Sequence, residues 1–207
     1  MRIIETEADL AEGAAHLAAA CPRMAHALSL TGPPPLRRRA EGFAALLHSI
    51  VSQQVSTAAA AGIWARMEAA GLTGAAAIAA ADEDALRAAG LSRAKARYAQ
   101  ALAAARLDYP ALGAMEEEEA VATLTAVPGV GRWTAEIYLM FAVGRADIFA
   151  PGDLALREAA RALYGLEERP SIAALDAMAE SWRPWRAVAA RILFAYYRVL
   201  KGREGVA

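Results

Sequence analysis

Two features of the sequence have residue types and spacing suited to chemistry. The first is the turn Pro128-Gly129-Val130-Gly131, which stands between two segments of helical pattern. The second is Asp153, which follows Pro151-Gly152 and lies twenty positions past Trp133. A tight glycine turn at the start of a helix presents free backbone N–H groups with no bulky side chains around them. Such a cradle suits a phosphate oxygen. A lone carboxylate at the mouth of the next helix stabilises a cation that develops beside it. It can also orient or deprotonate an attacking water. Cleavage of a nucleoside bond builds positive charge on the sugar, so the pair points to an enzyme that holds DNA and cuts a glycosidic bond. Each feature also has a plainer reading. The turn alone is equally an ordinary corner between helices. An Asp before an apolar helical run is a common N-cap, worth about 1 kcal/mol. Capping and catalysis coexist, because a capped carboxylate is held still and ionised.

The elements that must position these residues read as helices. Residues 116–126 form a short helical pattern with an acidic first turn, as the positive end of the helix macrodipole favours. Pro128 and Gly129 stop it, since proline cannot continue a helix and glycine accepts positive φ; Gly131 permits a second bend. Residues 132–144 carry a helical pattern through Trp133, Ile137, Met140 and Phe141. Upstream, 6–20, 39–52, 57–70, 75–80, 82–89 and 92–107 read as helices, with Asp82 and Ser92 as N-caps and 31–35 as a loop. Downstream, 154–164, 172–181 and 184–200 follow, with Pro184 in a first helical turn. Abundant alanine and scarce strand-forming runs favour an all-α fold. The expectation is two helical lobes flanking a cleft, with the hairpin and Asp153 at the cleft. All of 1–207 then forms one catalytic unit, with the hairpin motif at about 117–144 and the catalytic loop at 150–153. Residues 1–35 are expected to cover part of the core.

Composition bounds the function classes. The chain has 207 residues, 57% hydrophobic and 22% charged, which describes a globular protein with a substantial core. A net charge of −1 does not announce a nucleic-acid binder, so the distribution matters more than the total. Basic groups gather at Arg37-Arg38-Arg39, at Arg93, Lys95 and Arg97, and along Arg183, Arg186, Arg191, Arg198 and Lys201. Acidic groups gather at 116–119 and at Glu167-Glu168. A local basic face can meet DNA, although each cluster also reads as a solvated helix face. Cys21 is the only cysteine, so there is no internal disulfide and no set of four thiolates for an iron–sulfur cluster. His16, His26 and His48 lack metal-ligand spacing, and no metal site is expected. No apolar run has the length of a membrane span and no signal peptide is evident, so a cytoplasmic protein is expected.

Four segments, in order along residues 40–200, carry a family resemblance. The hairpin with its downstream aspartate resembles the helix-hairpin-helix DNA glycosylase superfamily, and within it the 3-methyladenine DNA glycosylase II branch. Ile50-Val51-Ser52-Gln53-Gln54-Val55-Ser56 resembles the family's minor-groove segment. Gly90-Leu91-Ser92-Arg93-Ala94-Lys95-Ala96-Arg97-Tyr98 resembles its G-[LF]-S-x-x-K-x-x-Y element. Trp182-Arg183-Pro184-Trp185-Arg186 resembles its W-[RK]-P-W-R run. The resemblance implies a base excision repair enzyme that flips a damaged base out of double-stranded DNA, hydrolyses its glycosidic bond and leaves an abasic site. It matches only the catalytic helical part of longer relatives, without their extra N-terminal β-rich domain.

The resemblance also implies roles. Asp153 is the catalytic carboxylate. Gln53 and Gln54 form the wedge, Gln54 at the matching position, where some relatives have leucine. Gly129, Val130, Gly131, Arg132 and Thr134 make the phosphate-binding hairpin. Relatives often hold a monovalent cation there through backbone carbonyls, which makes one possible here; no cofactor is required. Ser92 and Lys95 are further DNA contacts, or else a helix cap and a salt-bridge partner. Trp133 and Phe194 match base-pocket positions, with Tyr138 a weaker candidate, and Phe141, Trp182 and Trp185 read rather as core. Aromatic faces attract cationic alkylated bases by roughly 0.5–2 kcal/mol. Ile137 departs from the tyrosine that relatives often carry one turn after Trp133. Strand-nicking members place a lysine where this chain has Trp133, so a monofunctional enzyme acting through water is implied. A monomer is expected. Two alternatives stay open: a glycosylase of the same fold for deaminated or oxidised bases, and a non-catalytic hairpin DNA-binding module.

Overall fold

The structure is a computed structural model and describes residues 2–204, apart from the side chains of Thr57, Arg203 and Glu204. Twelve α-helices run through the described residues: α1 (Glu7–Ala20), α2 (Pro22–Thr31), α3 (Phe43–Val51), α4 (Thr57–Ala69), α5 (Ala75–Ala80), α6 (Glu83–Ala88), α7 (Arg93–Ala105), α8 (Glu117–Thr125), α9 (Arg132–Tyr138), α10 (Leu154–Tyr164), α11 (Ile172–Ala179) and α12 (Arg186–Glu204). A π-helical turn, Leu139–Val143, follows α9, and 3₁₀ turns lie at Ala111–Gly113 and Glu180–Trp182. The one β feature among the described residues is an isolated bridge between Ile3 and Arg145. The all-α expectation holds. None of the helices described is long and apolar enough to cross a membrane.

The chain divides into two compact units, one made of the residues up to Arg38 and from Leu139 onward, the other of Arg39–Tyr138. In the first, α12 packs against α1, α2 and α10, and α1 against α2. Leu10, Leu17, Met24, Leu156, Ile192 and Leu193 are buried there, so the first 35 residues do cover part of a core. In the second, α7 packs against α3, α5 and α6, and α8 against α9; Leu46, Leu47, Ile50, Leu86 and Leu102 are buried.

Local sequence explains most helix starts. Thr6 and Asp9 close a capping box on α1, Asp9 accepting from the Thr6 N–H at 2.9 Å. Asp82 accepts from the Ala85 N–H at 2.8 Å and Ser92 from the Lys95 N–H at 3.3 Å, each satisfying a donor that a helix start leaves orphaned.

Five expectations need correction. The pattern reading passed over α2, whose only buried residues are Met24 and Ala27, too few for a period to show. The helix expected over 39–52 starts at Phe43, because Gly42 has φ of +102°, outside the helical range. The helix expected over 132–144 is α-helical only to Tyr138 and then widens into the π turn, whose residues are all buried. The pattern over 172–181 is α-helical only to Ala179 and tightens into the 3₁₀ turn. Pro184 is not in a first helical turn: the Arg183–Pro184 bond is cis and α12 begins at Arg186.

Candidate functional site

The hairpin belongs to the second unit. After α8, the Val127 N–H donates to the Leu124 carbonyl at 3.1 Å and the Val130 N–H to the Val127 carbonyl at 3.0 Å. These bonds fold the chain back so that α9 can begin at Arg132. Gly129 has φ of +90°, and a methyl carbon built there would stand 2.6 Å from Cδ2 of Tyr98. Glycine is required here both by conformation and by the close approach of the Tyr98 ring. Gly131 differs. Its φ is not in the left-handed region and nothing lies within 4 Å of a built Cβ. It contributes open space in front of the backbone rather than the second bend expected of it.

Val130 and Thr134 are buried at 4% and 5% exposure, so what they offer a ligand is backbone. Arg132 closes an ion-pair network within the hairpin, donating to Glu118 Oε1 at 2.7 Å and Glu136 Oε1 at 2.9 Å. Its hydrogen bonding to Glu118 first, reinforced by Glu136, holds the guanidinium protonated even more firmly than usual. Trp133 stands out at 46% exposure, a large aromatic face left in solvent next to the open turn. Tyr138 is placed otherwise: it is 3% exposed and its hydroxyl accepts from the Gly42 N–H at 2.9 Å. Burial pushes its pKa up to about 12, and its ring lies 6.4 Å from Tyr109.

The wedge segment is tied to the same hairpin. Past the end of α3, Gln54 is exposed with φ of +54°, the left-handed conformation that non-glycine residues adopt uncommonly. Gln53 is half-buried, and its Nε2 donates to the Gly129 carbonyl at 3.0 Å. Lys95 reaches from α7 and donates its Nζ to the carbonyls of Val51 and Gln53, both at 2.7 Å. A cation there complements the negative end of α3 and satisfies carbonyls the helix leaves open; burial lowers its pKa. Ser92 caps α7. The whole Gly90–Tyr98 element thus has a local purpose: Ser92 starts the helix, Lys95 holds the wedge turn, and Tyr98 packs under the hairpin.

Asp153 belongs to the first unit. It N-caps α10, its Oδ1 accepting from the N–H groups of Ala155 at 2.8 Å and Leu156 at 3.2 Å. Its own N–H donates to the Ala150 carbonyl at 3.0 Å, which tightens the 150–153 loop. The side chain is half-buried and the adjoining Leu154 is 55% exposed. Phe194 on α12 is half-buried, its ring 6.3 Å from that of Phe141.

The basic row expected along Arg183, Arg186, Arg191, Arg198 and Lys201 is only partly a surface face: Arg183, Arg198 and Lys201 are exposed. Arg186 and Arg191 are each 3% exposed. Arg186 pairs with Asp147 at 2.7 Å, and Arg183 pairs with the same carboxylate. Trp182 and Trp185 are buried at 1% and 4%, so the Trp-Arg-Pro-Trp-Arg run serves packing. Among the described residues no group of three His, Cys, Asp or Glu gathers to hold a metal ion. Sequence reasoning gave no separate role to Tyr98, and it read Arg191 as part of a surface. A charged residue among the buried alanines and leucines of α12 was the available signal.

Residues 47–187 match the family model described as HhH-GPD superfamily base excision DNA repair protein. The alkylbase DNA glycosidase-like protein mag2 of Schizosaccharomyces pombe is 35% identical over 80 residues, 39% of this chain and 38% of that protein. The chain thus spans well under half the length of the curated relatives it first matches. Among solved structures, a DNA-3-methyladenine glycosidase from Bacillus halodurans superposes with a TM-score of 0.83 at 29% identity, covering 98% of this chain and 95% of that one. The Schizosaccharomyces pombe 3-methyladenine DNA glycosylase Mag1, in complex with abasic DNA, gives 0.75 at 26% identity, covering 88% and 95%.

Proposed function

The chain belongs to the HhH-GPD superfamily of base excision DNA repair proteins, and from that premise we propose that it is a monofunctional DNA glycosylase for alkylated purines. The observation that carries the reading is the fixed carboxylate of Asp153, with one oxygen locked by two backbone N–H groups at the start of α10. A carboxylate so held needs no reorganisation when positive charge develops on a sugar, which is where electrostatic catalysis gains most. It serves the attacking water as well.

The backbone N–H groups around Gly129, Val130 and Gly131 hold a DNA phosphate, with the space in front of Gly131 as the point of approach. Gln54 enters the gap left by a flipped base, and Gln53 braces the turn beneath it. Trp133 offers the flipped base an exposed aromatic face and Phe194 a second aromatic contact; a cationic base such as 3-methyladenine or 7-methylguanine is favoured by such faces. Tyr138 supports α9 through Gly42 rather than the base. Water is the nucleophile, because Trp133 stands where a Schiff-base lysine would be needed and Lys95 is held by two carbonyls. The protein acts as a monomer on double-stranded DNA and requires no cofactor, while the hairpin carbonyls can take a monovalent cation.

The test is base release from methylated duplex DNA by the parent and by Asp153→Asn. Asparagine caps a helix about as well as aspartate, so the variant keeps its fold and loses only charge. Release of 3-methyladenine or 7-methylguanine by the parent, reduced by roughly 10²-fold or more in the variant, is the expected result. Equal release by both removes Asp153 from this role. DNA binding without release by either points to other lesions or to a binding module. Borohydride added during turnover is expected to trap no covalent adduct.

A further inference from the structure

Gln53 and Gly129 are 76 positions apart, yet within the second unit one short chain of hydrogen bonds joins the wedge turn to the hairpin. Gln53 is its middle. Its N–H donates to the Ile50 carbonyl at 3.3 Å, its carbonyl accepts from Lys95 Nζ at 2.7 Å, and its Nε2 donates to the Gly129 carbonyl at 3.0 Å. The peptide between Gly129 and Val130 is thereby held on both sides, because the Val130 N–H donates to the Val127 carbonyl at 3.0 Å. Lys95 and Tyr98 stand three positions apart on α7, on one face of that helix. The first clamps the wedge turn and the second lies against Gly129.

Gln54 is held differently. Among the described residues it finds no hydrogen-bond partner, and it is exposed with φ of +54°. That conformation is costly for a residue with a side chain and persists only where the surroundings impose it. The constraint reaches Gln54 through the neighbouring Gln53, which is fixed at its N–H, its carbonyl and its side chain. The side-chain tie ends on the hairpin, so the geometry of the phosphate cradle and that of the wedge are not independent. Two sites joined in this way share a coupling free energy, and the dependence runs in both directions.

We propose that Gln53 is a positioning residue that couples phosphate capture at the hairpin to insertion of Gln54. A phosphate seated on the hairpin N–H groups fixes the Gly129 carbonyl, the carbonyl fixes Gln53, and Gln53 holds Gln54 ready for the gap left by a flipped base. Backbone contact with any duplex thus prepares the wedge before a lesion is met. The proposal rests on reading the chain as a base-flipping glycosylase.

The test is a double-variant cycle. Gln53→Met removes the donor at similar side-chain size, and Gly131→Ala alters the cradle by a methyl group that meets nothing within 4 Å. Each protein is saturated with a duplex carrying 2-aminopurine beside the lesion, so that lost affinity does not enter the signal. Fluorescence reads flipping, single-turnover base release is followed in the same mixture, and urea unfolding reports stability. Gln53→Met is expected to lower the ratio of flipped to stacked base by about two- to tenfold, the equivalent of one neutral hydrogen bond, with affinity for an undamaged duplex little changed. Gly131→Ala is expected to lower the ratio in the parent and to add little beside Gln53→Met, since the path between the sites is already cut. Additive losses overturn the coupling, as does an unchanged ratio in either single variant. Equal losses of flipping, affinity and stability in Gln53→Met make the bond a plain structural brace and overturn it too. If the parent binds duplex but neither flips nor releases a base, the glycosylase reading fails first, and the coupling falls with it.

Discussion

The two glycines of the hairpin differ in a way that a single methyl group can expose. Gly129→Ala places a carbon 2.6 Å from Cδ2 of Tyr98, about an ångström inside ordinary carbon–carbon contact. The neighbour is an aromatic ring on α7, not the loose end of a long chain, so the ring or the turn must move; overpacking of this kind costs about 1–3 kcal/mol. The φ of +90° at Gly129 adds about 1–2 kcal/mol for any L-residue. Displacing the turn also strains the Gln53 bond to the Gly129 carbonyl, whose loss costs about 1 kcal/mol. The variant is expected to lose about 3–6 kcal/mol of stability. Gly131→Ala meets nothing within 4 Å and carries no left-handed φ. It should leave stability unchanged or raise it by about 0.4–1 kcal/mol through the unfolded chain. Its methyl group nonetheless occupies the space through which a phosphate would approach, so DNA affinity should fall. Urea unfolding followed by far-UV circular dichroism gives the stabilities, and fluorescence anisotropy with a labelled duplex gives the affinities. A Gly129→Ala protein as stable as the parent refutes the packing argument. A Gly131→Ala protein that binds DNA as the parent does refutes the phosphate cradle.

Three further outcomes are expected. Lys95→Met leaves the Val51 and Gln53 carbonyls without their donor, at a cost of about 1–3 kcal/mol. With 2-aminopurine beside the lesion, base flipping should suffer more than duplex binding, and equal losses would make Lys95 a plain DNA contact. Tyr109 and Tyr138 both have pKa values raised to about 12 by burial. A raised folded-state pKa means stability that is fully present below the unfolded value near 10 and is lost as pH rises toward 12; thermal melts over that range should show the fall, and Tyr138→Phe should flatten it. Asp153→Ala should destabilise by about 0.5–2 kcal/mol through loss of the cap, whereas Asp153→Asn should not, and equal melting of the two would mean that the cap contributes nothing.

Much of this protein is legible along the chain because its determinants are local. Thr6, Asp82, Ser92 and Asp153 start helices from positions that any reader of caps would choose, and Pro128 with Gly129 ends one. Those interactions span a few residues, and their physics is complete within one turn. The alanine-rich composition blurs what lies between, since alanine favours a helix equally in core and at surface; α2 was passed over because only Met24 and Ala27 are buried along it. Spacing along a helix tells which side chains share a face but not what covers that face. Arg186 and Arg191 share a helix with Arg198, yet the first two are buried while Arg198 is exposed. Lys95 reads as a surface charge until two carbonyls 44 and 42 positions earlier claim it. Tyr138 reads as a free aromatic until the Gly42 N–H, 96 positions away, takes its hydroxyl. The sequence by itself determined most of the helices, the caps at Asp82, Ser92 and Asp153, the hairpin and the carboxylate that follows it. Only tertiary structure decided which polar groups are spent on the fold and which remain for a ligand, because a buried donor or acceptor must be satisfied by whatever the folded chain brings beside it.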